Sequence, residues 1–403
     1  MDVLLLCGYF EPKYQEEIGR KTKTWVENAA NTFQERLIEG LTSQDISLSV
    51  ISAPLFGAWP TAYSDIYFNG FEAGESDQNI EYVTFNNVWG YRNLSRASSL
   101  KKSVNRFLKT SSDSEKAIII YGAHTPYMEA ACYAKKICPS VHLSLVLPDL
   151  PQYMNLSRNS HPVYDFFKGI DIKKMQRLNL SIDSYMLLTK YMGDAFGIGS
   201  RPYIVVEGIS NGVFCSPSLT TGIKVIAYAG KLEESFGVKR LVEAFRMLDT
   251  DSVELVICGG GELVEYIRSC SESDKRITYK GIVPAEEARE ILQNAFVLVN
   301  PRTNDSDYTK YSFPSKNIEY LQTGNTVIGY MLDGIPEDYT NFMICPDGNS
   351  VNALKNALEE ALKLSDTDRR ATSERAKKYI LAHCEKNSVA KQLIDMIAKE
   401  MRK

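Results

Sequence analysis

Ala227-Tyr-Ala-Gly-Lys-Leu-Glu-Glu-Ser-Phe-Gly-Val-Lys-Arg-Leu-Val-Glu-Ala-Phe245 decides how the chain is read. An apolar run, Lys224–Tyr228, ends at Ala229-Gly230, a polar loop presents Lys231, and Gly237 opens a segment whose Val238, Leu241, Val242 and Phe245 recur at helical spacing. Strand, loop and helix in that order are the unit of a parallel α/β sheet. Downstream the unit recurs, with strand-like runs at Val253–Cys258, Arg276–Tyr279, Phe296–Val299, Thr326–Tyr330 and Phe342–Cys345. Upstream the runs are Val3–Cys7, Ile46–Ser52, Ala117–Tyr121, His142–Leu147, Ser184–Leu188 and Tyr203–Val206, with helical patterns between most of them. Glu207–Gly222 is rich in Gly, Ser, Thr and Pro, lacks periodicity, and reads as an interdomain linker. The expectation is α/β: two doubly wound, Rossmann-like domains, 1–206 and 223–365, joined by 207–222 and facing a central cleft at the carboxyl ends of their strands. Residues 366–403 read as terminal helices able to cross back to the first domain.

With 403 residues, two cores are the default, and 44% hydrophobic with 24% charged residues is an ordinary globular balance. Lys+Arg 46 against Asp+Glu 50 leaves a net charge of -4, which gives no bulk reason to expect nucleic acid. The apolar start Met1–Cys7 is too short for a secretory signal and lacks its basic lead, so a cytoplasmic location is expected. No run approaches the ~18 apolar residues of a membrane span, so any membrane contact is peripheral. Two basic clusters offer one, on the inner face of the cell membrane. Residues 92–109 carry Arg92, Arg96, Lys101, Lys102, Arg106 and Lys109 around Leu100, Val104, Phe107 and Leu108, and residues 166–177 carry Lys168, Lys173, Lys174 and Arg177 beside Phe166, Phe167, Ile172 and Met175. Each cation near anionic lipid contributes about 1 kcal/mol; the competing reading is a pair of solvated helix faces. Eight cysteines without C-x-x-C spacing point to no metal site.

The chemistry concentrates in the second half. Lys231 and Gly237 bring a cation and helix-terminal amides together, an arrangement suited to phosphate. Gly259-Gly-Gly-Glu262, including Gly260, follows a strand but is not G-x-G-x-x-G, so the dinucleotide fingerprint fails. Gly281, Ile282 and Val283 form a strand-to-loop turn whose backbone can read a nucleobase edge. The richest stretch is Asn300-Pro-Arg-Thr-Asn-Asp-Ser-Asp-Tyr-Thr-Lys-Tyr-Ser-Phe-Pro-Ser-Lys-Asn-Ile-Glu-Tyr-Leu-Gln-Thr-Gly324. Ser312 is placed near the helix N-cap and Pro314 in the first turn, where a missing N–H costs nothing. That helix end, Ser312 to Ser315 with Phe313 between, offers amides and a positive dipole end to an anion. Lys316 and Arg302 add charge, and Glu319, about one turn on, can accept from two vicinal hydroxyls. Phosphate at the helix tip and ribose at the acid make a nucleotide site.

In order and spacing, Gly230 to Phe245, Gly259 to Glu262, Gly281 to Pro284 and Tyr311 to Gly324 resemble the C-terminal donor domain of retaining, family-4-like glycosyltransferases with the two-Rossmann GT-B fold. The likeness spans about 170 residues from the linker on and is weaker over the first half; Ser312-Phe-Pro314 resembles the variant of bacterial capsule and exopolysaccharide enzymes. The resemblance implies a metal-independent transferase using a nucleotide diphosphate sugar, UDP-sugar favoured, as co-substrate and no other cofactor. Its acceptor is a glycan or a lipid-linked saccharide bound by the first domain. Lys231, Lys316 and His124 are then catalytic, Gly230, Gly237, Gly260, Gly281–Val283, Arg302, Tyr311–Ser315 and Glu319 bind the donor, and Gly8 and Asp149 contact the acceptor. Two departures stand out. Tyr311 occupies the position of the first of two glutamates seven residues apart, and Phe236 occupies that of a lysine that neutralises the diphosphate, while Lys231 replaces an arginine. Asp305-Ser-Asp307 has the letters of a metal motif in a loop where this fold places none. Rival readings are a sugar-nucleotide epimerase, which acts on donor alone, and a non-catalytic scaffold, which binds no donor.

Overall fold

The computed structural model describes all residues except 25–27, 72–79, 111–114, 154–161, 220–221 and 305–307, and leaves aside the side chains of 162–165. Asp305-Ser-Asp307 therefore lies outside the described residues. The chain forms two compact units, Met1–Ile209 with Lys386–Lys403, and Ser210–Glu385.

The first unit holds strands β1 (Asp2–Cys7), β2 (Ser47–Ser52), β3 (Tyr67–Phe68), β4 (Ile80–Tyr82), β5 (Phe85–Asn86), β6 (Lys116–Tyr121), β7 (His142–Leu147), β8 (Ser184–Leu187) and β9 (Tyr203–Val205). Seven of them make a parallel sheet in the order β4-β2-β1-β6-β7-β8-β9, while β3 and β5 form a small antiparallel pair. Its helices are α1 (Gln15–Lys21), α2 (Asn28–Thr42), α3 (Arg92–Thr110), α4 (Thr125–Ile137), α5 (Pro162–Asn179) and α6 (Met192–Phe196). The second unit holds α7 (Val238–Arg246), α8 (Val264–Ser273), α9 (Ala285–Asn294), α10 (Ser315–Gln322), α11 (Val351–Lys363) and α12 (Asp366–His383). Its strands β10 (Lys224–Ala229), β11 (Val253–Cys258), β12 (Ile277–Gly281), β13 (Val297–Asn300) and β14 (Thr326–Gly329) form a parallel sheet in the order β12-β11-β10-β13-β14. The central strands are mostly apolar because helices cover both faces of such sheets. β1, β7, β13 and β14 are buried at every position.

Two expectations are revised, and the one for the terminal helices is resolved, one of them crossing back to the first unit. Phe342–Cys345 is no strand: its apolar residues are taken up by the Tyr339–Phe342–Tyr379 aromatic cluster, and only Ile344 bridges Ile328. The expected linker 207–222 is no free connector, since Ile209 joins the first core while Ser210, Cys215 and Ser218 are hydrogen-bonded to Cys384, Gln322 and Asn325 of the second unit. The terminal block divides. α12 packs Ala376 and Ile380 into the second unit, whereas α13 (Lys386–Met401) packs Val389, Ala390, Leu393 and Ile397 against Leu37, Ile38 and Leu41 of α2. That docking is close, because a Cβ on Gly40 would overlap the Lys386 carbonyl, and Lys386 pairs with Glu39 at 2.8 Å.

Candidate functional site

In the second unit the exits of β10 and β13 meet the amino end of α10, and those of β11 and β12 lie alongside β10. The helix starts at Ser315 with Pro314 as its N-cap, and no side chain caps it. Ser312 is therefore not the cap: Pro314, with φ -71° and ψ 104°, holds the chain extended until the helix begins. Ser312 ends the short 3-10 turn Thr309–Tyr311, and its Oγ accepts from Arg302 Nη2 at 3.2 Å. With a prolyl cap, the Ser315 and Lys316 amides keep no acceptor among the described residues, leaving the positive end of α10 open to an anion. Phe313 is buried beside Tyr339, with ring centroids 5.3 Å apart, and anchors the turn.

Lys316 reaches back to β10. Its Nζ donates to the Ala229 carbonyl at 2.6 Å, and a Cβ on Gly230 would lie 2.7 Å from both Cε and Nζ. Glycine at 230 thus makes room for the ammonium at the strand end. Tyr228 Oη donates to the Lys231 carbonyl at 2.7 Å, and the Tyr320 hydroxyl accepts from the Ala229 amide at 3.3 Å, so two buried tyrosines brace the loop. Burial lowers the pKa of Lys316, and the nearby Glu319 carboxylate works in the opposite direction. Glu319 itself is exposed and has no hydrogen-bond partner among the described residues. The arrangement offers an anion a partly desolvated cation and open amides, and offers hydroxyls a free carboxylate one turn away.

A cation from another loop stands beside Phe236. The Arg302 guanidinium lies over the Phe236 ring at 5.8 Å and the Tyr308 ring at 5.2 Å. Phe236 therefore carries a cation delivered by another loop. Gly237 (φ +75°) opens α7, where a side chain would overlap the Pro301 carbonyl, which brings the β13 exit against the start of α7. Lys231 is exposed at the tip of the same loop. The glycines after β11 serve the protein first: a Cβ on Gly259 (φ +136°) would overlap the Gly230 carbonyl, and Leu232 N donates to Gly260 O at 3.0 Å. Gly260 faces Ile282, whose side chain is 84% exposed beside Gly281 and Val283, an apolar surface at the expected place for a base. Tyr311 is half-buried, with Lys310 Nζ 5.0 Å from its ring centre.

Spacing alone did not reveal Tyr228, Tyr320, Asn300 or Asn317. Asn300 Nδ2 donates to Asn317 Oδ1 at 2.7 Å, tying β13 to α10. The available signal was Tyr320 four residues after Lys316, which puts both on one helix face.

In the first unit, Gly8 follows β1 and is buried, with its amide donating to Gln34 Oε1 at 2.7 Å. Leu55 and Tyr127 fill the space a side chain there would need. His124 precedes α4 as its N-cap without a side-chain cap bond, and burial together with Arg96 and Arg92 lowers its pKa to about 3. Asp149 is exposed after β7. The basic segment 92–109 is corrected: the apolar face of α3 is buried, Arg96 with it, Lys101 pairs with Glu129, and Arg106 pairs with Glu81.

Residues 223–364 match the family model for Glycosyl transferases group 1. No curated protein sequence matches the chain significantly. Among solved structures, the chain is similar to sucrose-phosphate synthase from Thermosynechococcus elongatus, with 13% identity, TM-score 0.64 and 99% of each chain covered. It is similar to Anabaena HepE in complex with UDP, with 12% identity, TM-score 0.63, and 99% of this chain and 100% of that one covered. The lipopolysaccharide outer core galactosyltransferase WaaB, in its apo form, gives 15% identity and TM-score 0.64, with coverage of 99% and 100%. The fold is that of GT-B proteins, two Rossmann-like domains with parallel sheets, and together with the match over 223–364 it supports a glycosyltransferase.

Proposed function

We propose that the chain is a retaining glycosyltransferase that moves a sugar from a nucleotide diphosphate sugar, a UDP-sugar first, to a glycan or lipid-linked saccharide during cell-surface polysaccharide synthesis. One observation carries the reading: the uncapped end of α10, the Lys316 ammonium at Gly230 and the unpartnered Glu319 carboxylate stand together in one unit. The diphosphate lies on the amides of 315 and 316 with Lys316, Lys231 and Arg302 as counter-charges, the ribose hydroxyls donate to Glu319, and the base lies along Gly281–Val283. The bond from the anomeric carbon to the diphosphate oxygen breaks, and the acceptor oxygen bonds that carbon on the same face. The acceptor proton passes to the departing phosphate. Charge developing on the diphosphate meets fixed cations and amides, the largest catalytic term in such a step, with no metal ion required. His124, neutral at physiological pH, serves as a hydrogen-bonding group. Support for UDP comes from the HepE complex, and support for a cell-surface product from the similarity to WaaB, a lipopolysaccharide outer core galactosyltransferase. Calorimetry with UDP on wild type and Glu319→Ala tests the site; a wild type that binds no UDP overturns it. That outcome is the one expected of a scaffold, the reading favoured by Tyr311 at the position of a donor-sugar carboxylate.

Peripheral membrane contact belongs to the same proposal in altered form. No helix among the described residues is long and apolar enough to cross a membrane. Since α3 buries its apolar face, the support comes from exposed apolar residues at its amino end, Trp89, Tyr91 and Leu94, and on α5, Phe166, Phe167 and Ile170. Trp89 and Phe167 touch edge to face at 6.2 Å. Exposed Lys173 and Arg177 lie further along α5. Flotation with anionic and zwitterionic vesicles tests it, and no binding to either refutes it.

A further inference from the structure

One cavity of the second unit lies outside the α10 site. It measures about 310 Å³, opens between α12 and the 3-10 turn Glu337–Asn341, and is lined by Asp338, Phe342, Arg375, Lys378, Tyr379 and His383 among others. That is the small end of ligand-sized cavities, roughly 300–1,000 Å³. Arg375, Lys378, Tyr379 and His383 stand at i, i+3, i+4 and i+8, so one face of α12 carries all four. Buried Phe342 and half-buried Tyr379 pack with ring centroids 5.3 Å apart, and the exposed His383 ring lies on Tyr379 at 4.4 Å with 25° between the planes. His383 Nδ1 is 3.0 Å from Tyr379 O. A carbonyl only accepts, so Nδ1 carries the hydrogen, and Nε2 is left without a partner among the described residues.

Arg375 is fixed in place. Its Nε donates to Asn341 O at 3.0 Å and its Nη2 to Thr372 Oγ1 at 2.9 Å, which leaves Nη1 with no acceptor among the described residues. A guanidinium held in this way loses less freedom on meeting a ligand than a loose surface side chain does. Lys378 and Asp338 have no partner among the described residues, so the cavity wall holds two permanent cations and one carboxylate with no ion pair between them. Two cations facing one space match a group of charge near −2. A phosphomonoester carries about −1.5 to −2 at pH 7, and a carboxylate about −1, so the phosphomonoester is the better match. The stacked Tyr379 and His383 rings offer a flat face to a third ring. An ionised Asp338 only accepts, which suits hydroxyls on the same ligand.

We propose that this cavity binds a phosphomonoester carried on a flat ring, a nucleoside monophosphate or an aryl phosphate. The phosphate lies against Arg375 Nη1 and Lys378, the ring lies against His383 and Tyr379, and ribose hydroxyls, where the ligand has them, donate to Asp338. The site shares no residue with the α10 site and does not depend on the donor reading.

The test is imidazole NMR of the full chain, with the His383 resonance assigned through His383→Gln. AMP, UMP and phenyl phosphate are titrated against adenosine, ribose 5-phosphate and inorganic phosphate. The expected result is a saturable shift of the His383 signal with a ringed phosphate, at an affinity about tenfold or more above that of any of the three controls. Arg375→Met and Lys378→Met each weaken the response about tenfold or more; Lys378 has no partner among the described residues to lose, so its variant decides the matter if Arg375→Met fails to fold. AMP and UMP ahead of phenyl phosphate, with the lead lost in Asp338→Asn, identify a nucleotide as the source, and phenyl phosphate level with them identifies an aryl phosphate. A His383 signal that no ringed phosphate moves, or that inorganic phosphate moves equally well, overturns the site and leaves a solvated helix face. Lys316→Met leaves the response unchanged; its loss in that variant places the ligand at the α10 tip and overturns the site as well. A response to AMP in a protein that binds no UDP keeps this site and overturns the donor reading, and UDP binding without any response does the reverse.

Discussion

Lys316→Met separates the proposed use of this lysine from its part in the fold. Among the described residues its Nζ makes one hydrogen bond, to Ala229 O at 2.6 Å, and that carbonyl also accepts from Tyr320 Oη at 3.4 Å, so the substitution does not orphan it. The folding cost is then that of one replaced bond, about 1 kcal/mol, partly offset because a buried charge disappears. For a unit of this size that is a fall of about 2–4 °C in melting temperature. Binding loses more. A charge-assisted bond to a phosphate oxygen in a partly buried site contributes about 1.5–3 kcal/mol, a loss of roughly 10- to 150-fold in UDP affinity. The protonation state adds a second readout. The free lysine has a lowered pKa, and a bound diphosphate favours the charged form, so UDP binding takes up protons between that lowered value and the ordinary 10.5. Calorimetry in buffers of different ionisation enthalpy measures this uptake, and the methionine variant abolishes it. The free unit gains stability as pH rises through the same window, because there the unfolded chain binds more protons. UDP affinity within about twofold of wild type, in a folded variant, refutes the assignment of Lys316 to the phosphates.

Glu319→Ala removes an exposed, unpartnered carboxylate, so stability changes by less than about 0.5 kcal/mol while UDP affinity falls about tenfold or more; equal affinity by calorimetry removes the ribose from this residue. Gly230→Ala puts a methyl 2.7 Å from the Lys316 ammonium, the far end of a flexible side chain, so folding is little changed but donor binding weakens; unaltered affinity shows that the ammonium need not stand there. Gly259→Ala, at φ +136° with the Gly230 carbonyl in the way, destabilises the second unit by more than about 2 kcal/mol, and an unchanged melting curve contradicts the close approach of the two loops. His124 has a folded pKa of about 3, below its ordinary 6.5, so its contribution to stability is complete above 6.5 and declines as pH falls below that; urea midpoints show a smaller acid-side loss for His124→Gln, and identical slopes refute the buried neutral imidazole.

The sheets were legible because a strand covered on both faces must be apolar at nearly every position, and that rule locates β1, β7 and β11 within a residue of where they form. It fails where apolarity has another cause. Phe342–Cys345 reads as a strand, but its residues pack among aromatic side chains, and the two-residue strands β3 and β5 leave too short a trace to be seen. The start of α10 was misplaced by two residues because Ser312 has the chemistry of a cap. Pro314 decides otherwise, and the hydroxyl is used by Arg302. The first unit shows the same limit in its charges. Six cations in 92–109 read as an exposed basic face, turned to a membrane or to water, yet a sequence counts charges and not partners, and Arg96 lies buried while two others are ion-paired.

The candidate site of the second unit was legible in its local parts and not in their convergence. Lys316 and Ala229 are 87 positions apart, and nothing in their spacing announces that a helix-tip lysine occupies the space left by Gly230. Phe236 illustrates the consequence. Read along the chain, it is a lost cation and weakens the reading of an active enzyme. Read in space, it is a platform 5.8 Å from a guanidinium that enters from the β13 loop, so positive charge remains beside the start of α7. The quantity a diphosphate responds to is the field at that point, to which Coulomb's law admits any cation at the same distance whatever its place in the sequence. If that compensation operates, removing Arg302 weakens UDP binding on the scale of Lys316→Met, whereas Phe236→Leu, which removes only the aromatic face, loses no more than about 1 kcal/mol. Calorimetry on the pair tests it: wild-type affinity in Arg302→Ala puts the compensating charge elsewhere.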